Sequence, residues 1–201
     1  MNGITIIDDV ISKEYQDYLE SLLLSNSDMT WHLIKDVRQV VPTEKEYSLP
    51  SMSIQAITDG DEHGILSFVF KGLAYAIAEK MDIKIKTILN ARTFLQFPGG
   101  NLNDFIEKEY HVDTLRPHKV LLYYVNESDG NTIILKQRYP FAYNKVSGLT
   151  TGEVLQEITP KKGRVIMFDG AQFHSSTVPT KNLRCVINLD VVLADFTNKL
   201  N

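Results

Sequence analysis

Apolar and polar positions divide the chain into a helix-bearing first part and a strand-rich second part. Ile4-Thr5-Ile6-Ile7 reads as a short strand. Ser12 is placed to cap a helix on which Tyr15, Tyr18, Leu19, Leu22 and Leu23 recur at helical spacing, so this face is expected to lie on a sheet. Trp31-His32-Leu33-Ile34 predicts a second short strand. Residues 35–64 are polar and broken by Pro42 and Pro50, which predicts a long, partly irregular excursion. Helical spacing returns over residues 65–81, with Phe68, Val69, Leu73, Ala76 and Ile77 as the packing face and Asp61-Glu62 near the positive helix end.

After Ile83 the period becomes two. Ile83, Ile85, Thr87 and Leu89 alternate before Thr93-Phe94-Leu95-Gln96-Phe97, and Pro98-Gly99-Gly100 stops the run. Residues 120–125 form a nearly continuous apolar strand and residues 132–135 another; Glu127-Ser128-Asp129-Gly130-Asn131 predicts a turn joining them as a hairpin. Residues 138–151 read as loop, 154–158 as strand, 160–163 as a turn into strand 164–168, and 185–194 as the last strand. With no repeat or linker, residues 1–201 read as a single domain: 1–82 a helical buttress and substrate-loop region, 83–201 the β core. Two helices followed by many short strands predict a mainly β fold with flanking helices (α+β), a sandwich or barrel buttressed at its N-terminal side.

Composition narrows the partners. The 201 residues are 43% hydrophobic and 23% charged, ordinary for a soluble globular protein. A net charge of -4 argues against a broad nucleic-acid footprint. Cys185 is the single cysteine, so no intramolecular disulfide forms; its apolar flank Val186-Ile187 implies a buried, inert thiol suited to a reducing cytoplasm. Asp8-Asp9 interrupts the first apolar run, so no signal-peptide core is expected. No run approaches the roughly 18 apolar residues of a membrane span, and the expected location is the cytoplasm.

The chemistry concentrates in Tyr110-His111-Val112-Asp113. In an extended segment residues i and i+2 share a side, so His111 and Asp113 can face one ion while Val112 faces the core. Surface salt-bridging or a turn would explain so short a motif equally well. A metal site also needs a further histidine on a neighbouring strand, and His174, after the strand 164–168 and the turn Asp169-Gly170, is the candidate. Arg184 enters the last apolar strand, where its permanent charge needs a partner; a bound carboxylate or a strand-end ion pair would serve. Tyr124 on its own reads as a core aromatic.

The ordered set His111-Val112-Asp113, strand 121–126, Gly130-Asn131-Thr132, strand 163–168, His174 and Arg184 carries a resemblance. From about Arg92 to Val192 the chain resembles the iron(II)- and 2-oxoglutarate-dependent dioxygenases, in particular the prolyl 4-hydroxylase-like branch and its small stand-alone phage and bacterial members. The resemblance implies a double-stranded β-helix (jelly-roll) core. It implies Fe(II) held by His111, Asp113 and His174, with Arg184 gripping the distal carboxylate of 2-oxoglutarate and the Tyr124 hydroxyl supporting it. The implied reaction hydroxylates a substrate C–H bond, on a prolyl residue of a peptide or protein or on a small molecule, releasing succinate and carbon dioxide.

The chain departs from the family at Phe97, which stands where a tyrosine donates near the metal end of 2-oxoglutarate; Gln96, Asn90 or water would have to replace it. Residues 101–110 are long for the family and are expected to form a lid. Residues 35–64 and 137–152, with Tyr47, Arg138, Tyr139, Phe141 and Tyr143, are the expected substrate loops. Competing readings are a cupin-like metal barrel that does not use 2-oxoglutarate and a non-enzymatic jelly-roll binding module. His118 reads as a turn histidine, His32 and His63 have no ligand-spaced companion, Lys161-Lys162 reads as a solvated turn, and Gly99-Gly100 lacks the context of a phosphate cradle.

Overall fold

A computed structural model describes residues 3–34, 51–99, 110–140, 149 and 151–194. Its strands are β1 (Thr5–Ile7), β2 (His32–Ile34), β3 (Ser51–Thr58), β4 (Asp61–Glu62), β5 (Ile85–Gln96), β6 (Lys119–Tyr124), β7 (Thr132–Arg138), β8 (Val154–Ile158), β9 (Val165–Asp169), β10 (Gln172–Ser176) and β11 (Arg184–Leu193). The helices are α1 (Lys13–Glu20) and α2 (Leu66–Lys80). The larger sheet runs β1-β9-β6-β11-β5-β3-β2, with β4 attached to β3, and the smaller runs β10-β7-β8.

The central strands are apolar on both faces because both faces are covered. On one face Leu121, Tyr123, Cys185, Ile187, Leu189 and Val191 pack with Leu19 and Leu23 and with Phe70, Leu73 and Ile77 of α2. On the other, Val120, Leu122, Tyr124, Ile166, Phe168 and Val186 pack with Ile134 and Ile158 of the smaller sheet. The period-two alternation of strand side chains sorts these residues into two layers. The result is the expected mainly β jelly roll with helices on its outer face. The first 82 residues contribute strands as well as helices, since β1, β2 and β3 all join the larger sheet. No helix among the described residues is long and apolar enough to cross a membrane.

Ser12 caps α1 as expected, its hydroxyl accepting the Tyr15 N–H at 3.3 Å. The buried residues of α1 are Gln16 and Leu19, with Leu23 buried in the helical turn Ser21–Ser25 that follows it, while Tyr18 is half exposed. On α2 the buried residues include Leu66, Phe70, Leu73, Ala74 and Ile77, and Phe68, expected in the core, is 66% exposed. Phe68 lies two residues from Phe70, about 200° round the helix, so both cannot face the sheet. Asp61-Glu62 forms β4 rather than leading into the helix, and Glu62 accepts from Lys71 at 2.6 Å.

Three further expectations are corrected. Residues 51–58 are the strand β3, paired with β5, and not part of an irregular excursion; residues 35–50 lie outside the described residues. The strands β6 and β7 are not a hairpin: β6 pairs with β9 and β11, β7 with β8 and β10, so the turn between them crosses from one sheet to the other. Asp129 fixes that crossing, its carboxylate accepting the backbone N–H groups of Thr180 at 3.0 Å and Asn182 at 3.3 Å, just ahead of β11. Lys161 and Lys162 are more than a solvated turn: Lys161 pairs with Asp8 at 2.8 Å and Lys162 with Asp17 at 2.5 Å, tying the β8–β9 turn to the N-terminal segment.

Candidate metal centre

Val112 is fully buried against Ile133, Leu135 and Phe173, so the two side chains flanking it, His111 and Asp113, turn the other way. His174 stands in β10, a strand that begins just after the turn Asp169-Gly170 and that the sequence pattern did not mark, opposite His111 in an antiparallel bridge. The imidazole rings lie 4.7 Å apart, centroid to centroid. One ligand atom from each of His111, Asp113 and His174 falls within 4.8 Å of the others. The sequence-assigned triad is thus brought together by the fold.

The protonation of these groups tests whether a cation fits. His174 Nδ1 faces the Gln172 carbonyl at 3.1 Å, and a carbonyl only accepts, so Nδ1 carries the hydrogen and neutral His174 presents a lone pair at Nε2. That lone pair meets Asp113 Oδ2 at 3.2 Å. Asp113 Oδ2 is buried and accepts no hydrogen bond among the described residues. Two lone pairs at this distance need a positive charge between them, either a proton or a metal ion. Among the protein groups alone, burial disfavours charge on His174, yet Asp113 raises its pKa. Burial likewise pushes Asp113 up, and Arg92 with the histidines outweighs it, holding the carboxyl well below its ordinary range. Two imidazole nitrogens and one carboxylate oxygen suit a first-row divalent metal and leave coordination positions open.

A cavity runs from this triad to Arg184. Arg184 is 4% exposed and donates to the Gly130 carbonyl at 2.9 Å, Gln96 Oε1 at 3.1 Å and Thr132 Oγ1 at 2.9 Å. Every one of those acceptors is neutral, so its charge has no carboxylate partner among the described residues, and burial lowers its pKa. The alternative reading, a strand-end ion pair, is not formed among the described residues. Tyr124 is buried behind the cavity wall and donates to Thr132 Oγ1 at 2.8 Å. Thr132, which the sequence reading passed over as a site residue, lines the cavity. With both lone pairs of its oxygen engaged by Tyr124 and Arg184, its own hydroxyl hydrogen is available for donation.

Of the candidates to replace a tyrosine at Phe97, Gln96 lines the cavity, whereas Asn90 is committed to Asp190, donating to Oδ2 at 3.0 Å. Phe97 itself is 46% exposed. His118 is no surface turn residue: it is buried, donates from Nδ1 to the Arg116 carbonyl at 2.7 Å, and packs so closely on Gly170 that a Cβ there would overlap its ring. His32 and His63 lie at the surface, outside the triad. Tyr139 stands edge-on to Phe173 in the core, and Arg138 pairs with Asp169 at 3.1 Å. Tyr47, Phe141, Tyr143 and residues 101–109 of the expected lid lie outside the described residues. Cys185 is buried as expected, burial pushing its thiol up to about 12.

No protein-family model matches the chain, and no curated relative does. Solved structures do. A prolyl hydroxylase from Trichoplax adhaerens, in complex with a peptide of the hypoxia inducible factor oxygen degradation domain, matches at 18% identity and TM-score 0.56, over 95% of this chain and 84% of that one. An oxidoreductase of the 2OG-Fe(II) oxygenase family from Burkholderia pseudomallei matches at 10% identity and TM-score 0.62, over 94% and 84%. The fold is that of the 2-oxoglutarate oxygenases. The same fold match extends to SnoN, a non-haem α-ketoglutarate-dependent epimerase of nogalamycin biosynthesis, at 9% identity and TM-score 0.61, over 95% and 78%.

Proposed function

We propose that this protein is an Fe(II)- and 2-oxoglutarate-dependent oxygenase that hydroxylates a C–H bond of its substrate. The observation that carries the reading is a buried arginine, without a counter-ion among the described residues, at one end of a cavity whose other end is a two-histidine, one-carboxylate group. In this reading His111, Asp113 and His174 hold the iron, and Arg184 holds the distal carboxylate of 2-oxoglutarate by a charge-assisted hydrogen bond. The bound iron and co-substrate supply the oxidative chemistry, in which 2-oxoglutarate is cleaved to succinate and carbon dioxide as dioxygen is consumed.

The remaining roles belong to the chain. Thr132 donates its hydroxyl hydrogen to the same carboxylate, and Tyr124 acts on it through Thr132. Gln96, which lines the cavity and whose Oε1 accepts from Arg184 at 3.1 Å, is the group that gives up this donor when a carboxylate binds. Phe94, Leu122, Phe168 and Val186 make the walls apolar and keep water from the reacting centre.

The substrate favoured is a prolyl residue in a peptide or protein, supported by the resemblance around His111 and by the peptide bound to the Trichoplax enzyme. A small molecule is the other candidate, since the fold also carries an epimerase of antibiotic biosynthesis. The whole chain acts as one domain in this reading, and the cytoplasm is its location. The test is succinate formation from 2-oxoglutarate under air with ferrous iron, alone and with proline-containing peptides. Iron-dependent succinate is expected, stimulated by the true substrate. Iron binding without 2-oxoglutarate binding would leave a cupin-like protein, and no iron binding would leave a binding module.

A further inference from the structure

The two oxygens of the Asp113 carboxylate face different partners. Oδ2 points to His174 Nε2, at 3.2 Å, whereas Oδ1 is held by the guanidinium Nη2 of Arg92 and lies further, 3.9 Å, from His111 Nε2. We propose that Arg92 is a positioning residue, which engages one oxygen of the Asp113 carboxylate and so fixes the carboxylate plane with the other oxygen presented to the metal. This rests on reading His111, Asp113 and His174 as a metal centre.

Arg92 is well built for that task. It sits on the inner face of β5, 8% exposed, with its guanidinium 5.0 Å from the ring centroid of Phe94, two residues on and therefore on the same face. It lines both the metal cavity and a neighbouring open polar cavity, and Asp113 is shared by the two. The guanidinium is thus part of the partition between them. Left alone, the terminal torsion of an aspartate is broad, so the carboxylate plane could turn and aim neither oxygen squarely at the histidines. A planar donor held on one side removes that freedom before any ion binds.

The surroundings of Arg92 also bear on a second possibility. Asp113, His118 and Asp190 bring ligand atoms within 4.8 Å of one another, which by spacing alone could hold another ion. The permanent charge of Arg92 at Asp113 Oδ1 opposes a second cation there. Asp190 is instead satisfied by protein donors, the side-chain amides of Asn90 at 3.0 Å and Asn188 at 3.3 Å, with His118 Nε2 3.9 Å from its Oδ1. This group reads as a buried polar network behind the centre, with Arg92 as its link to the ligand.

The test titrates Co(II), an air-stable probe, into the full-length wild type, Arg92→Met and Arg92→Lys, reading affinity, number of sites and the visible spectrum of the bound ion. Loss of an outer partner typically costs about 10- to 100-fold in metal affinity. Arg92→Met is expected to show that loss with an altered spectrum and the number of sites unchanged, and Arg92→Lys to recover part of it. Unchanged or tighter binding in Arg92→Met, with the wild-type spectrum, overturns the proposal. So does a fall in the number of sites at unchanged affinity, which is what a purely structural role would give. If wild type itself binds no Co(II), the metal-centre reading fails, and the inference with it.

Discussion

His111 and His174 are hydrogen-bonded to each other through their backbones in both directions, each N–H donating to the other's carbonyl at 3.0 Å. Their relative position is therefore set by strand pairing and not by loop conformation. Replacing either imidazole leaves this pairing intact, so His174→Ala is expected to keep the fold while losing metal affinity by more than the roughly 10- to 100-fold that an outer partner is worth. Metal titration monitored beside circular dichroism checks both halves. Wild-type affinity in the folded variant would remove His174 from the ligand set.

Thr132 and Tyr124 separate by the same logic. Tyr124→Phe removes one donor and leaves Thr132 bonded to Arg184, so a stability loss of about 0.5–1.5 kcal/mol is expected, with 2-oxoglutarate affinity little changed. Thr132→Val leaves the Tyr124 hydroxyl and one Arg184 N–H without their acceptor and is expected to cost about 1–3 kcal/mol, with weaker 2-oxoglutarate binding. Denaturant unfolding and a binding titration on both variants would show the contrast. A larger binding defect in Tyr124→Phe would place the tyrosine in direct contact with the co-substrate.

The face of α2 is testable by stability alone. Phe70 is fully buried and Phe68 is 66% exposed. Phe70→Ala is expected to cost about 3–5 kcal/mol, whereas Phe68→Ala should stay within about 0.5 kcal/mol of wild type. Equal losses in a pair of melts would contradict this orientation of the helix.

Asp8 ties the end of β1 to the turn before β9. Hydrogen bonds from Arg164 and Lys161 lower its pKa from 3.8 to about 2. A carboxyl lowered on folding contributes stability above its unfolded pKa, near 3.9, and loses it as pH falls through the folded value. Asp8→Asn should therefore be less stable than wild type near neutral pH, by about 0.2–1 kcal/mol for so exposed a pair. The two should converge as pH falls from about 4 towards 2. Melts at several pH values measure the difference; a gap that persists at the lowest pH would mean the asparagine perturbs something other than this charge pair.

What was legible in the sequence was what local pattern or fixed chemical type can carry. His111 and Asp113 flank a buried valine, and an arginine that enters a buried strand needs partners wherever it goes; neither inference requires knowing the partner strand. The strand β3 carries a plain period-two alternation, with Ser51, Ser53 and Gln55 towards the two cavities and Met52, Ile54 and Ala56 towards the core; it is masked because Pro50 and the polar run before it make residues 35–64 look like one irregular segment. The β6–β7 connection has the residues of a hairpin turn, but which sheet the next strand joins depends on contacts made much later, at residues 180–182. Arg92 and Asp190 escape notice, and His118 reads as a turn histidine, for a related reason. Each is a buried polar residue whose burial is set by partners 21 to 100 positions away, and single-sequence periodicity carries no trace of them.

In the proposed function a metal ion and 2-oxoglutarate share one cavity, with Arg184 at its far end. The most direct measurement is an anaerobic titration of 2-oxoglutarate into the wild type and Arg184→Ala, each with and without ferrous iron. A hydrogen bond to a charged group is worth about 1.5–3 kcal/mol, so Arg184→Ala should bind 2-oxoglutarate about 10- to 100-fold more weakly while retaining iron. Wild type should bind it tightly only when iron is present. Equal affinity in wild type and Arg184→Ala, or binding indifferent to iron, would contradict the account.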